Sequence, residues 1–339
     1  MRWFLRYSFL VVIAACIVFF SLWNPVFLSA GNQMNILEGS AILLIVALGM
    51  TLVVSMGGID LSVGIALDFG AAFAVVALKE YDAAWYVAIL AGIVGGCLIG
   101  ILNAVLIVWL NVSAFMATLG TFFIGSSVQR IFTNGGGPIS HRRMPQEFRD
   151  LAVGDVAGIP TEVVIAAVVL ILYFIFLECS IFGKRIQAIG LQPTAALIAG
   201  IEVKRIIFFG FIIAAATCAV GGLIASANIR MFTPLSGFSY LLDAIAAVFI
   251  GASMHPRGRP NVVGTLVGVL FLGILANGLN LMGLNFNTKD ALSGIILVLA
   301  LAFAIGQRRF VVLRKGHKLG EKLRLLVITS CCLMCLRKS

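Results

Sequence analysis

The chain has 339 residues, of which 61% are hydrophobic and only 11% are charged, against roughly 25% charged residues in soluble domains. A soluble globule needs more polar side chains to cover its surface, so this composition excludes one and leaves no room for a large soluble domain. The net charge of +10 does not indicate nucleic-acid binding, because the basic residues lie between apolar blocks and form no single patch with aromatic residues.

Ten apolar runs are candidates for membrane crossings, each of which needs about 20 residues. The first run, residues 8–28, follows Arg2 and Arg6 and lacks a clear cleavage site, so we interpret it as a retained anchor helix. The others fall near residues 36–56, 63–79, 85–110, 114–132, 160–182, 206–229, 241–254, 262–284 and 291–306. Two of these, 63–79 and 241–254, are short, as is typical of broken helices that line a cavity. The sequence therefore predicts an all-α membrane protein with about ten transmembrane helices.

Orientation follows from the distribution of Lys and Arg between the two sides. With the N-terminus inside, one side receives 17 of these residues and the other receives 7, which predicts that both termini are cytoplasmic. The stretch 133–159 weakens the count, because it places Arg142, Arg143 and Arg149 outside, and an error there would change the number of helices by one. The same stretch divides the chain into two groups of similar hydropathy, and residues 100–103 resemble residues 273–277, which hints at duplicated halves.

Acidic residues in an apolar setting are the most informative side chains of the sequence. Because an ionised carboxylate that faces lipid costs about 2.5 to 3.5 kcal/mol, Glu38, Asp60, Asp68 and Asp243 should face the interior, a cavity or an interface. For Asp60 two interpretations stay open, since Asp60 or Ser62 can cap the following helix or contact a substrate directly. Asp68 and Asp243 have no turn near them, which favours a polar pathway.

Glycines have two predicted roles. Gly57, Gly58 and Gly64 surround Asp60 and permit a break between helices. The sets at 92, 96 and 100 and at 264 and 268 each lie on one helix face, where they favour close packing and are compatible with helices that slide against each other.

Residues 183–205 form a polar block between apolar runs. Pro193 is well placed to begin a short helix, which would lie parallel to the membrane on the cytoplasmic side and present a surface to a partner. The alternative is an ordinary positively charged loop.

Several absences narrow the chemistry. There is no GxxxxGK[ST] sequence, so any energy from ATP must enter through another polypeptide. The histidines His141, His255 and His317 are widely separated and suggest neither a metal site nor a catalytic Ser–His pair. We therefore expect no catalytic residues, no metal and no cofactor bound by this chain.

The sequence resembles the permease subunits of ribose-type ABC sugar importers, a group that includes permeases for other pentoses, hexoses and autoinducer-2. The resemblance runs from about residue 36 to 306 and rests on GGIDLSVG at 57–64, AFMATLGT at 114–121, Gly183 with AIG at 188–190, Ala195, Ala196, Gly200, Ile201, Asp243, Ile250, Gly251, Gly264 and Thr265. It departs from the family at Leu191 and Gln192, where Gly-Asn is usual, and at residues 252–261, where the usual glycine-rich turn is replaced.

This resemblance implies a type II importer permease fold with pseudo-repeated halves, in which two permeases surround a central path. It also implies two cytoplasmic ATPase subunits, a periplasmic sugar-binding protein and a second permease copy as partners, in addition to membrane lipid. Residues 1–310 are then one transmembrane permease domain with a coupling loop at about 183–205, and 311–339 form a basic cytoplasmic tail.

The predicted function is movement of a monosaccharide or similar small polyol across the bacterial inner membrane by alternating access, driven by separate ATPases. Polar residues at broken helices would line the path: Asp60, Ser62, Asp68, Asn103, Asp243 and Asn277. The movement of the ATPases would reach these helices through Gln187, Gly190, Thr194, Ala195, Ala196 and Gly200. The main alternative is an ion-coupled carrier in which an intramembrane aspartate binds a proton or Na⁺. A membrane enzyme is less favoured, because no nucleophile, base and orienting group can be assembled.

Overall fold

The computed structural model describes residues 2–255 and 258–284, together with a few isolated positions between 288 and 298. The predicted span 291–306 lies for the most part outside these residues, and the predicted tail 311–339 lies wholly outside them.

The described chain is almost entirely helical. In order, its elements are α1 (Arg2–Trp23), a short 3₁₀ helix (Pro25–Leu28), α2 (Ala30–Ser55), α3 (Val63–Glu80), α4 (Trp85–Val108), α5 (Ala114–Phe132), β1 (Ile139–Ser140), α6 (Gln146–Val153), β2 (Asp155–Val156), β3 (Ile159–Pro160), α7 (Thr161–Phe174, continued as a π-helix over Ile175–Cys179), α8 (Ile181–Leu191), α9 (Pro193–Ile198), α10 (Val203–Ile229), β4 (Met231–Phe232), α11 (Gly237–Met254) and α12 (Val262–Leu281).

Six of these helices are long and apolar enough to cross a membrane: α2, α4, α7 with its π-helix, α10, α11 and α12. α3 is also 18 residues long, but it carries Asp68, Lys79 and Glu80. α5 includes Gln129 and Arg130 in its 19 residues. The described residues therefore form an all-α membrane protein with six clear spans, and the total of about ten stays a prediction.

Short strands and loops mark the two ends of the bundle. β1 pairs antiparallel with β4, which brings the stretch 133–159 to the same end as residues 231–232; we call this the strand end. At the opposite end, the backbone N–H of Val262 donates to Glu178 Oε1 at 3.3 Å, and Arg259 donates to Gln187 at 3.2 Å. These contacts join the loop before α12 to the end of α7 and to α8, and we call this the α8 end.

The centre of the bundle is α2, whose side chains from Ile45 to Leu48 are fully buried. Around it, α3, α4 and α10 approach one another at glycines. A Cβ atom on Gly96 of α4 would lie 2.5 Å from Ala219 Cβ of α10, and one on Gly70 of α3 would lie 2.7 Å from Ala219 Cα. Because lipid provides no hydrophobic driving force between helices, such close backbone contact is what stabilises their association. A Cβ on Gly92, Gly100, Gly264 or Gly268 would likewise meet the backbone of a neighbouring helix, so the close packing predicted for the two sets of glycines is confirmed.

Candidate functional site

The connection between α2 and α3 is a break in the helical path, as the glycines predicted. α2 ends at Ser55, and Gly57 adopts a φ of +87°, which favours glycine. α3 resumes at Val63. The intervening residues 57–62 are called the break below.

Asp60 holds the break in shape from within. Its side chain is buried, and Oδ1 accepts hydrogen bonds from the Ser62 backbone N–H at 2.8 Å and from the Ser62 hydroxyl at 2.6 Å. The Ser62 oxygen in turn accepts from Asn103 Nδ2 of α4 at 2.7 Å. Three residues predicted to line the path thus form one hydrogen-bonded chain, in which the N–H and O–H groups offset the cost of burying a carboxylate.

Thr118 of α5 fixes the break from the other side. Its hydroxyl accepts from the Leu61 N–H at 3.1 Å, and it lies 3.2 Å from the Ile59 carbonyl and 2.9 Å from the Ala114 carbonyl of its own helix. A threonine that bonds both to its own helix and to a neighbouring loop satisfies backbone groups that lipid could not. Thr118 therefore ties the position of the break to α5.

The two predicted short helices, α3 and α11, meet at their N-termini. A Cβ on Gly64 would lie 2.7 Å from the Gly237 carbonyl carbon, and one on Gly237 would lie at the same distance from that of Gly64. This crossing is inside the membrane-spanning region, because Ser62 bonds to Asn103 of α4 and a Cβ on Gly92 of α4 would lie 2.7 Å from the Gly70 oxygen. Discontinuous helices that meet within the bilayer are a recurring way to build transporter sites.

Asp68 joins these two helices. Its Oδ1 accepts from the Gly237 N–H and from the Ser236 hydroxyl, both at 2.9 Å, so a residue of α3 caps the N-terminus of α11. The other carboxylate oxygen is buried without a hydrogen-bond partner. The sequence shows no turn next to Asp68 that its side chain could cap. The turn that it does cap precedes α11 and includes Gly237, which is 169 positions away. A carboxylate at a helix N-terminus also interacts favourably with the helix dipole.

Gln129 completes the same junction and was not predicted. Its Oε1 accepts from the Leu235 N–H at 2.8 Å, and its side chain lies beside the Asp68 carboxylate. Its buried Nε2 has no hydrogen-bond partner. The available signal was a glutamine inside a mainly apolar helix, where burying a polar side chain is costly and the side chain is expected to face the bundle interior.

Asp243 lies in a different place from the other predicted pathway residues. It is on the exposed face of α11 in the single chain. Tyr240, one turn earlier, lies within electrostatic range of both Asp243 and Glu162 of α7, and Glu162 is in turn within range of Glu38 of α2. The structure thus gathers two of the predicted intramembrane acids, together with Glu162 and Tyr240, near the strand-end halves of α2, α7 and α11.

The side chain of Asn277 forms hydrogen bonds with a residue of another helix. Its Nδ2 donates to Asn32 Oδ1 at 3.0 Å, and Asn32 Nδ2 donates to Asn277 Oδ1 at 2.9 Å, so the two amides form a reciprocal pair between α12 and α2. Further along the same interface, the hydroxyls of Thr51 and Thr265 lie 2.7 Å apart. In this conformation the Asn277 amide stabilises the α2–α12 interface.

α8 is seated directly on the break. Gly190 packs against the end of α2: a Cβ there would overlap the Ser55 carbonyl oxygen and would lie 3.2 Å from the Gly57 nitrogen. On the same helix, Gln187 accepts the hydrogen bond from Arg259. The predicted coupling segment and the predicted helix break are therefore in contact.

α9 follows α8 at the same end of the bundle, and most of its side chains are exposed. Pro193 is its first residue, as predicted, and Gly200 follows its end with a φ of +78°. Ala196 is buried, whereas Thr194, Ala195, Leu197 and Ile198 are exposed, with 88% of Ile198 accessible. An exposed apolar side chain of this kind marks a surface suited to a partner.

The carboxylates of Asp60 and Asp68 accept hydrogen bonds inside the bundle and are not ion-paired with any described residue. Ion pairs among the described residues, Lys79–Glu80 at 3.6 Å and Arg205–Glu202 at 2.7 Å, involve exposed side chains. Within the described part of the chain, no group of three or more His, Cys, Asp or Glu residues could hold a metal ion.

Within its described residues, the structure combines six apolar spans, a polar break between α2 and α3, and two helix N-termini that meet within the bundle. These features are typical of a multi-pass membrane transport protein. Residues 32–301 match the family model described as the permease component of a branched-chain amino acid transport system. The chain belongs to this family of transporter permease components, as the sequence resemblance predicted.

The chain is similar to curated transporter permeases, and the similarity covers most of this chain and of each relative. The chain is 35% identical to the ribose import permease protein RbsC of Bacillus subtilis over 84% of this chain and 88% of the relative. It is 33% identical to RbsC of Escherichia coli K12, over 88% of this chain and 93% of that protein. It is 31% identical to the galactose/methyl galactoside import permease MglC of Haemophilus influenzae, over 82% and 88%. No solved structure matches the chain.

Proposed function

We propose that this chain is the transmembrane subunit of an ABC importer in the bacterial inner membrane and that it moves a monosaccharide or similar small polyol by alternating access. The names of its relatives, which are ribose and galactose import permeases, support a sugar as the substrate. The family supports a permease role, in which ATP is used by a separate ATPase subunit. A periplasmic sugar-binding protein and a second permease copy complete the proposed assembly.

The structural observation that supports this proposal best is the close packing of Gly190 against the backbone of Ser55 and Gly57. Movement of α8 must displace the end of α2, because backbone meets backbone there without a flexible side chain between them. The break holds Asp60 and Ser62, which reach α4 through Asn103. A displacement at the α8 end is therefore passed to polar residues inside the bundle.

The proposed path runs along the break and the α3–α11 junction towards the strand end. Asp60, Ser62 and Asn103 lie at its α8 end, and Asp68 lies at the junction. Asp243 faces outward from the single chain, where a second permease copy would enclose it. Asn277 would contribute only if its pair with Asn32 opened during transport. Alternating access fits these positions, because discontinuous helices can rock about a fixed site.

The proposed ATPase contact is the exposed surface of α9, together with Gln187 and Gly190 of α8. Nucleotide can drive this chain only if the ATPase binds one of its orientations more tightly than the other. The Lys and Arg count predicts that both termini are cytoplasmic, and this orientation would put α8 and α9 on the same side as the ATPase.

The docking surface can be tested by removing its apolar side chains. In the double variant Leu197→Ala, Ile198→Ala, we expect the purified permease to lose its ATPase partner while keeping its thermal stability. The matched control is Val153→Ala, Val156→Ala, which truncates exposed apolar side chains at the strand end. Full retention of the ATPase by the α9 variant would contradict docking at α9.

A further inference from the structure

A cavity of about 590 Å³ lies between α3, α4 and α5. Phe69 and Phe73 of α3, Val87 and Ala91 of α4, and Phe132 of α5 are among its lining residues. Of all the residues that line it, only Tyr81 and Gln129 have a polar atom in the side chain. Its volume is within the range of about 300–1,000 Å³ found for ligand sites.

The chemistry of this wall excludes a sugar or water as the occupant. A water molecule needs two to four polar partners in a cavity, and engineered apolar cavities stay dry and take up apolar molecules instead. A sugar carries several hydroxyl groups that would each lose a hydrogen bond there. The cavity is therefore separate in character from the proposed polar path.

The position of the cavity indicates which apolar molecules can reach it. It is located towards the strand end of α3, where Tyr81, Trp85 and Tyr86 are exposed around the turn into α4. Exposed Trp and Tyr residues mark the level of the lipid headgroups. The space below that level is occupied by acyl chains, which gain dispersion contacts by filling a gap between helices.

The charges near this turn are balanced. Lys79 is ion-paired with Glu80 at 3.6 Å, Asp82 follows in the turn, and Arg130 is next to Gln129 in α5. These four residues together carry no net charge and give no preference for an anionic headgroup over a zwitterionic one. The apolar wall of the cavity itself can contact only the acyl chain of the lipid.

We propose that the cavity between α3, α4 and α5 binds one acyl chain of a phospholipid from the leaflet at the strand end. The chain lies against Gln129, whose side chain also holds the Leu235 N–H and lies beside Asp68. Occupation therefore supports, through Gln129, the turn that begins α11. This inference is independent of the substrate and of the ATPase.

The test is photolabelling of the full chain, reconstituted with its partner subunits in vesicles of phosphatidylethanolamine and phosphatidylglycerol. Each lipid is supplied in turn with a diazirine near the middle of one acyl chain, and the adducts are located by peptide mass spectrometry. We expect adducts to concentrate at Phe73, Val87 and their neighbours, with the same pattern from both headgroups. Adducts spread evenly over all lipid-facing helices would overturn the proposal.

Variants in which a larger side chain fills the cavity provide a second test. Ala77→Phe and Ala91→Phe each insert a ring into the cavity, from α3 and from α4, and should abolish this labelling. Ala167→Phe on the exposed face of α7 is the matched control and should leave it unchanged. Undiminished labelling in both filled variants would contradict the site. Protection of the cavity from lipid in the wild type, with α7 still labelled, would show that a protein copy covers it and would equally overturn the proposal.

Discussion

Gly190 of α8 and Gly57 of the break face each other as bare backbone: a Cβ on Gly57 would lie 3.4 Å from Gly190 Cα, and one on Gly190 would lie 3.2 Å from Gly57 N. Small residues permit this close approach between segments within a membrane protein. Because no side chain intervenes, α8 cannot shift towards α2 without moving the break. This contact is the mechanical element on which the proposed coupling depends.

Gly190→Ala should disturb this contact, because the added methyl group overlaps the Ser55 carbonyl. Overpacking of this kind costs about 1–3 kcal/mol. We expect ATP-driven uptake to fall more than the amount of folded permease, as measured by transport in vesicles and by size-exclusion chromatography. Gly120→Ala is the control, since nothing lies within 4 Å of a Cβ at that position. Uptake at the wild-type rate in Gly190→Ala would argue against coupling through this contact.

Asp68→Ala should destabilise the start of α11, because the Gly237 N–H and the Ser236 hydroxyl lose their acceptor. Leaving a buried donor unsatisfied costs about 1–3 kcal/mol. Asp68→Asn, which retains an acceptor oxygen, should lose less, and thermal unfolding in detergent measures the difference.

Ser126→Ala is the matched control for Asp68→Ala. The Ser126 hydroxyl is buried in α5 without a hydrogen-bond partner, so its removal should leave the unfolding temperature unchanged or raise it. Equal losses of stability in Asp68→Ala and Ser126→Ala would show that the cap on α11 is unimportant.

The Asn32–Asn277 pair should behave as a coupled unit. Interhelical hydrogen bonds in a membrane protein average about 0.6 kcal/mol, with a maximum of about 1.7 kcal/mol. We expect a double-mutant cycle with Asn32→Ala and Asn277→Ala to give a stabilising coupling energy in this range. Strictly additive effects on unfolding would mean that the reciprocal amide contact contributes nothing, and would leave Asn277 available for the path.

Six of the spans and the break could be predicted from sequence because their signals are local. A run of apolar residues determines a crossing, and Gly57 permits the turn that ends α2. The partners of Asp68 and Asn277 could not be predicted, since they lie 169 and 245 positions away and depend on how the helices pack. Gln129 was missed for the same reason, as its partner Leu235 is 106 positions away.

Asp243→Asn should lower transport more than it lowers expression. The residue is on the exposed face of α11, so the packing of the single chain does not depend on burying it. We expect the maximal uptake rate to fall by a larger factor than the amount of folded permease, as measured by transport in vesicles and by size-exclusion chromatography. A parallel loss of folded protein and activity would instead assign Asp243 a structural role.

The most direct test of the central claim is uphill uptake by the purified chain in liposomes, with and without its partners. Alone, under an imposed proton or sodium gradient, the chain should accumulate no sugar. With the ATPase and the sugar-binding protein, accumulation should require ATP and should persist when ionophores collapse the ion gradients. Concentrative uptake by the chain alone on a proton or sodium gradient would contradict a permease driven by ATPases bound at α8 and α9 and would support an ion-coupled carrier.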